Sequence, residues 1–103
     1  MSAEYFVKLG EDPERLMHVR FTTRGHDITN YAVLLTVEEE GEINTIRLYD
    51  GAHAINEMHR YTRAEGKQPA EIFHSGTLKE GMRAATAQIK STYQSMIEAW
   101  RAR

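Results

Sequence analysis

The chain has 103 residues, with 13 Lys plus Arg against 15 Asp plus Glu and no cysteine. This length is typical of one domain with a single core, so we expect one domain over residues 1–103. A formal net charge of -2 argues against a protein that coats nucleic acid or anionic lipid through bulk charge. The sequence has no cysteine for disulfides or thiolate sites, and neither a signal-peptide pattern nor ~20 consecutive apolar residues for a membrane span. We therefore expect a cytoplasmic protein that makes no membrane contact.

The first half of the chain predicts strands. "MHVRFTT" (residues 17–23) alternates apolar and polar residues and precedes a turn at "RGHD". The preceding "DPERL" also fits the first turn of a helix, with Pro13 near its start. "YAVLLTVE" (residues 31–38) has the period-two, β-branched pattern of a central strand that is covered on both faces.

The middle of the chain continues this pattern. Gly41 can take positive φ, which predicts a hairpin turn into residues 43–50, where Ile46 and Leu48 alternate with Thr45, Arg47 and Tyr49. Turns at "DGAH" and "AEGKQP" then separate a strand over residues 55–63 from a short strand over 70–74. The sequence therefore predicts an antiparallel β-meander of four or five strands over about residues 17–74.

The last quarter of the sequence predicts one long helix. Apolar or small residues recur at helical spacing at Leu78, Met82, Ala85, Ile89, Tyr93, Met96 and Trp100. Thr77 and Glu80 form the pattern of a capping box, and Arg101 and Arg103 suit the negative C-terminal end of a helix. We expect an α+β fold, in which the meander is covered on one face by a long C-terminal α-helix over about residues 78–101.

The predicted helix is longer than the predicted strands. It would extend on the order of 35 Å at ~1.5 Å per residue, against roughly 20 to 27 Å for the strands. An overhanging end would expose Met96, Ile97 and Trp100 as an apolar patch. We expect a homo-oligomer or a protein partner to cover it. The alternative is that the N-terminal segment "YFVKL" (residues 5–9) folds back over this end.

The stretch "YDGAHAINEMHRY" (residues 49–61) concentrates polar groups around a predicted turn. An aspartate that accepts a hydrogen bond from one imidazole nitrogen leaves the other nitrogen free, as a general base requires. Asp50 could orient His53 or His59 in this way, while Arg47 or Arg60 stabilises negative charge. The alternative is that these are ordinary residues of a turn and of a solvated sheet face.

Arginines and tyrosines also alternate along the same two strands, and together they could bind a phosphate backbone and unstacked bases. The candidate substrate-binding residues are Tyr49, Arg60, Tyr61 and Arg63. His59 and Arg60 are adjacent in a strand, so only one of them can share a face with Asp50, and the strand register decides which. The remaining histidines are scattered and no cofactor motif is present, so we expect neither a metal nor a cofactor.

"RLYDGAH" followed by "MHRY" resembles the small bacterial TumE-type proteins, which are toxin components of toxin-antitoxin pairs. The matching residues are Arg47, Tyr49, Asp50, His53 and His59. Ala54 stands where the family pattern has glycine, and Tyr61 stands where it has a second histidine, so the chain lacks the histidine pair of the family. The resemblance implies a meander with a C-terminal helix and a cytoplasmic effector that acts on nucleic acid and is neutralised by a cognate antitoxin.

Three functional hypotheses follow. The first is a metal-independent, ribonuclease-like effector that acts on RNA through Asp50, His53 and His59. The second is a non-catalytic surface that binds nucleic acid or phosphate through arginines clustered on one face. The third is an interaction module that oligomerises or binds a protein partner through its C-terminal helix.

Overall fold

The computed structural model describes residues 1–103, in which seven strands precede one helix. The elements are β1 (Ser2–Lys8), β2 (Arg15–Arg24), β3 (Asp27–Glu39), β4 (Glu42–Asp50), β5 (Asn56–Thr62), β6 (Gly66–Lys67), β7 (Glu71–His74) and α1 (Leu78–Arg101). All strand pairs are antiparallel and follow chain order from β1 to β6, while β7 also pairs with β5. The predicted α+β class, with an antiparallel meander and a long C-terminal helix, is confirmed. The sheet has more strands than predicted because it also includes β1 and the two-residue β6.

The segment before β2 is a turn rather than the start of a helix, so the helical alternative for "DPERL" was wrong. The Asp12 carboxylate accepts a hydrogen bond from the Glu14 N–H at 2.9 Å, which closes this turn around Pro13. β2 begins at Arg15 and pairs with β1 on one side and β3 on the other. Sheet pairing on both sides satisfies backbone groups of residues 15 and 16 that a single helical turn would leave unpaired.

The predicted hairpin turn between β3 and β4 is confirmed. Glu40 and Gly41 have φ values of 54° and 79°, and they join the paired residues Glu39 and Glu42. Two successive residues with positive φ give a turn whose twist matches that of the flanking strands.

The helix does not overhang the sheet. β3 has 13 residues, about 43 Å at ~3.3 Å per residue, whereas α1 has 24 residues, about 36 Å at ~1.5 Å per residue. β3 is longer than predicted because it begins at Asp27, directly after a tight turn at residues 25–26. Met96, Ile97 and Trp100 are 5%, 1% and 6% exposed. The expectation that these three side chains form an exposed apolar patch was therefore wrong.

The N-terminal segment contributes to the core only through its end. β1 is an edge strand, and Tyr5 and Phe6 remain 45% and 60% exposed. Leu9 is 4% exposed and belongs to the core under α1. Gly10 follows at φ 68° and lies so close to the helix that a Cβ there would be 2.7 Å from the Tyr93 hydroxyl. The chain after β1 thus contacts α1, as the fold-back alternative expects in part.

A β-bulge in β4 changes which side chains face the helix. Leu35 of β3 pairs with Arg47, whereas its neighbour Thr36 pairs with Thr45, so Ile46 is an extra residue. Because the bulge interrupts the alternation of faces, Ile46 and Tyr49 are both buried under α1, at 2% and 0% exposure. The sequence pattern had placed Ile46 and Tyr49 on opposite faces, and this was wrong.

A buried amide fixes the start of α1 on the sheet. The Tyr31 hydroxyl donates to Asn56 Oδ1 at 2.7 Å, and Asn56 Nδ2 donates to the carbonyls of Gly76 and Thr77 at 3.3 and 3.2 Å. Asn56 is 1% exposed, so these bonds satisfy polar groups that burial would otherwise leave unpaired. The predicted capping box between Thr77 and Glu80 is present beside it.

A second contact holds the other end of the helix. The Glu39 carboxylate accepts hydrogen bonds from both Arg63 and Arg101, which joins β3 to the segment after β5 and to the last turn of α1. The Arg63 guanidinium also lies 4.6 Å from the centroid of the Trp100 ring. Both ends of α1 are therefore attached to the sheet by polar contacts, with the apolar stripe between them.

Substitution of Gly81 by alanine should destabilise the fold. A Cβ at this position would lie 1.8 Å from Asn56 Oδ1. We expect Gly81→Ala to lower the free energy of unfolding by about 2 kcal/mol or more, as overpacking does. At an open helical position the same change would instead stabilise by roughly 1 kcal/mol. Guanidinium unfolding followed by circular dichroism measures the difference.

The Asn56→Ala background provides the control. Removal of the Asn56 amide gives room for the new methyl group, so Gly81→Ala should cost clearly less there than in wild type. An equal loss of stability in wild type and in the Asn56→Ala background would contradict the close contact between Gly81 and the Asn56 amide.

Candidate functional site

The strand register separates the residues of the 49–61 stretch onto two faces of the sheet. Arg47 pairs with Arg60, Leu48 with His59, and Asp50 with Glu57. His59 therefore shares with Asp50 the face that points away from α1, whereas Arg60 lies beside Arg47 on the helix side. The predicted site residues do not form one constellation.

The expected aspartate-histidine pair is absent from the turn. His53 is exposed, and Asp50 Oδ1 instead accepts a hydrogen bond from the Ala52 N–H at 3.2 Å. His59 is oriented by a backbone group, since its Nδ1 lies 2.9 Å from the carbonyl oxygen of Gln68. A carbonyl can only accept, so Nδ1 carries the proton and Nε2 is the basic nitrogen in neutral His59.

Neither a metal cluster nor a membrane-spanning helix is found. The structure contains no group of three or more His, Asp or Glu side chains placed to hold a metal ion. The sequence of α1 is too polar for a helix that crosses a bilayer.

The arginines form a cavity between β4, β5 and the last turn of α1. Arg47, Arg60 and Arg103 line this space of about 390 Å³, and Tyr61 and Trp100 contribute aromatic surface. We call it the arginine cavity. Its volume lies within the range of small-molecule sites, roughly 300 to 1,000 Å³. No acidic side chain is among its lining residues.

The arginine cavity carries positive charge that the protein neutralises only in part. Arg47 and Arg60 are directly opposed on neighbouring strands, which is unfavourable for like charges. Arg60 pairs with Glu71 at 2.9 Å, but both side chains are about half exposed, and such pairs contribute little. Arg47 takes part in no ion pair, and its buried Nε has no hydrogen-bond partner. A buried unpaired donor costs about 1–3 kcal/mol.

Tyr49 is a core residue and not a surface for substrate. It is 0% exposed, its ring packs edge-on against Phe73 with centroids 4.8 Å apart, and its hydroxyl donates to Gln88 on α1. Burial raises the pKa of Tyr49, and the adjacent Arg47, through a hydrogen bond and its charge, opposes this rise. Tyr49 can act on a ligand only through its contact with Arg47.

The remaining predicted binding residues lie at the rim of the arginine cavity or just outside it. Tyr61 lines the cavity and is half-buried; burial raises its pKa, and the Asp50 carboxylate adds to the rise. Arg63 is already engaged by Glu39 and Trp100. Neither Trp100 nor Arg103 was predicted to line a binding cavity: Trp100 was expected in the helical stripe and in a protein contact, and Arg103 at the negative end of the helix. Which side chains of β5 they meet depends on tertiary packing, for which the sequence gives no signal.

Alkaline titration should weaken the fold. Burial raises the pKa values of Tyr31, Tyr49 and Tyr61, so the folded chain holds these protons more tightly than the unfolded chain. Their contribution to stability is therefore complete below the ordinary tyrosine pKa of ~10 and is lost as pH rises from there through the raised pKa values of the folded chain. The guanidinium midpoint should fall between pH ~8 and pH ~11.

Tyr31→Phe provides the comparison. This variant loses the bond to Asn56 and should be less stable at neutral pH, but it also lacks one titrating group and should show a shallower decline above pH ~10. An identical decline of stability with pH in both proteins would contradict a contribution from ionisation of Tyr31.

Comparison with known proteins places the chain in a family. Neither the curated proteins nor the solved structures contain a match to this sequence. A family model described as a domain of unknown function, DUF7718, matches residues 1–103. The chain therefore belongs to the DUF7718 family.

Proposed function

We propose that this protein is a binding module for a phosphate-bearing ligand, with single-stranded nucleic acid as the ligand class and the arginine cavity as the site. The observation that carries the proposal is the direct opposition of Arg47 and Arg60 in a cavity without acidic lining, where the Nε of Arg47 has no partner. Arg60 is bonded to Glu71, and once it turned from Glu71 toward Arg47 the two guanidinium groups would together match the oxygens of a phosphate, which would offset the repulsion between them.

Aromatic surface in the arginine cavity favours nucleic acid over free phosphate. Tyr61 follows Arg60 in β5 and borders the cavity from the opposite face of the sheet, where it remains partly accessible. A base next to a phosphate held by the arginines would therefore reach the Tyr61 ring at the rim of the cavity and stack there. The net charge of -2 fits a local patch better than a surface that binds through bulk charge.

Titration calorimetry with inorganic phosphate and with a short single-stranded RNA should detect this site. The RNA should bind more tightly, and Arg60→Gln should weaken its binding roughly 10-fold or more because a charge-assisted contact is lost. The slope of log affinity against log salt should become shallower by about 0.7 for each phosphate contact removed.

Arg83→Gln is the matched control, since Arg83 is an exposed arginine of α1 outside the cavity lining and changes the charge by the same amount. It should leave affinity nearly unchanged. Equal losses in Arg83→Gln and Arg60→Gln, or no binding by the wild type, would contradict the proposal.

A ribonuclease-like effector is the second candidate. Its support is that Gln68 fixes the tautomer of His59, leaving Nε2 basic, and that Asp50 lies diagonally across on the same face. This would be the activity that the TumE-type resemblance implies, neutralised by a cognate antitoxin. It is independent of the arginine cavity, because His59 and Arg60 point to opposite faces.

Induced expression in a bacterial host tests the effector candidate. Wild type should arrest growth and alter total RNA, while His53→Ala/His59→Ala, with unchanged circular dichroism, should not. Harmless wild type, or arrest by both proteins, would remove this candidate and leave the binding proposal standing.

A further inference from the structure

The face of the sheet opposite α1 is covered by no element of this chain, and two rows of cross-strand neighbours run across it. The charged row consists of Glu4, Arg20, Ala32, Asp50 and Glu57. The apolar row consists of Phe6, His18, Leu34, Leu48 and His59. Each row has one residue from each of the strands β1 to β5, and β3 lies at the centre of both.

The apolar row leaves apolar side chains accessible on the open face of the sheet. Phe6 is 60% exposed and stacks on His18 with ring centroids 4.3 Å apart and planes 8° apart. Leu34 and Leu48, in the middle of the row, are only half-buried because no helix covers them. An apolar band of this kind, bordered by charges, is typical of a protein contact.

The charged row contains a recess at its centre. Ala32 lies in the middle of the row, and the space around it, about 450 Å³, is bordered by Arg20 on one side and Asp50 on the other. Neither of these side chains takes part in an ion pair within the chain. Arg20 on β2 and Asp50 on β4 thus carry opposite charges on either side of β3, and neither has an oppositely charged partner within the chain.

We propose that a second copy of this chain docks face to face on this surface, with the twofold axis along β3. Such an axis exchanges the β2 side of one copy with the β4 side of the other. Arg20 of each copy then lies over Asp50 of the other, and the recess above Ala32 has room for the arginine side chain. The match is self-complementary, as an isologous interface requires.

The apolar row fits the same axis. Leu34 meets its own counterpart, His18 lies over Leu48, and Phe6 lies over His59 of the other copy. The result is two aligned sheets about 10 Å apart, a common packing in β-sandwiches. Glu4 of one copy meets Glu57 of the other only at the rim of the interface, where solvent screens the repulsion between the two carboxylates. His18 Nε2 also lies 3.3 Å from the Glu4 carboxylate.

Sedimentation equilibrium over a range of protein concentrations tests the dimer. Wild type should approach twice the mass of the chain. Phe6→Glu should weaken the dimer by ~10-fold or more, because it buries a charge in the apolar row. Tyr5→Glu is the matched control: Tyr5 is the neighbouring residue of β1, is 45% exposed and points to the other face.

Charge exchange provides the second test. Arg20→Glu should dissociate the dimer, and Arg20→Glu/Asp50→Arg should restore it because the opposite charges are reinstated with exchanged positions. A monomer at all concentrations, a dimer insensitive to Phe6→Glu and Arg20→Glu, or failure of the exchange to restore association in a folded protein would overturn the proposal.

Discussion

The extra residue at Ile46 determines what each face of the sheet presents. Without the bulge, strict alternation along β4 would separate Ile46 from Tyr49, and only one of them could pack under α1. With it, Ile46, Arg47 and Tyr49 all lie on the helix side, and Leu48 is left on the open face. The bulge therefore adds Ile46 to the core under the helix, while Arg47, which alternation already places with Tyr49, lies on the same side as its partner Arg60.

The position of the arginine cavity follows from how α1 is held. Asn56 fixes the start of the helix, and Glu39 fixes its end through Arg63 and Arg101. Because both ends of α1 are fixed, Trp100 lies near the end of β5. It lines the helix side of the arginine cavity, and Arg47 and Arg60 line the sheet side. The same contacts that stabilise the helix thus define a cavity whose charge remains incompletely neutralised.

Features coded by local spacing could be predicted from the sequence, and features that depend on long-range register could not. The capping box at Thr77 and the turn at Gly41 each reside in a few adjacent residues, and both are present. No glycine or proline marks the bulge at Ile46. The period-two pattern therefore predicted the wrong face for one of the two residues Ile46 and Tyr49. The burial of Trp100 depends on long-range contacts that the apolar pattern does not encode: the Arg63 guanidinium lies over its ring, and Arg101 beside it bonds to Glu39 at the end of β3. The length of β3 was underestimated at its other end, where residues Asp27 to Asn30 are mostly polar.

The proposed phosphate site depends on the cross-strand pair of Arg47 and Arg60. The chemical shifts of the Nε–Hε groups of these two arginines test the site most directly. During titration with inorganic phosphate and then single-stranded RNA, we expect saturable shifts at Arg47 and Arg60, with little change at the exposed Arg83. Saturation at lower concentration with RNA would identify nucleic acid as the ligand class. Equal, unsaturated drift of all arginine signals, or no shift at Arg47, would contradict the assignment of this cavity as a phosphate site.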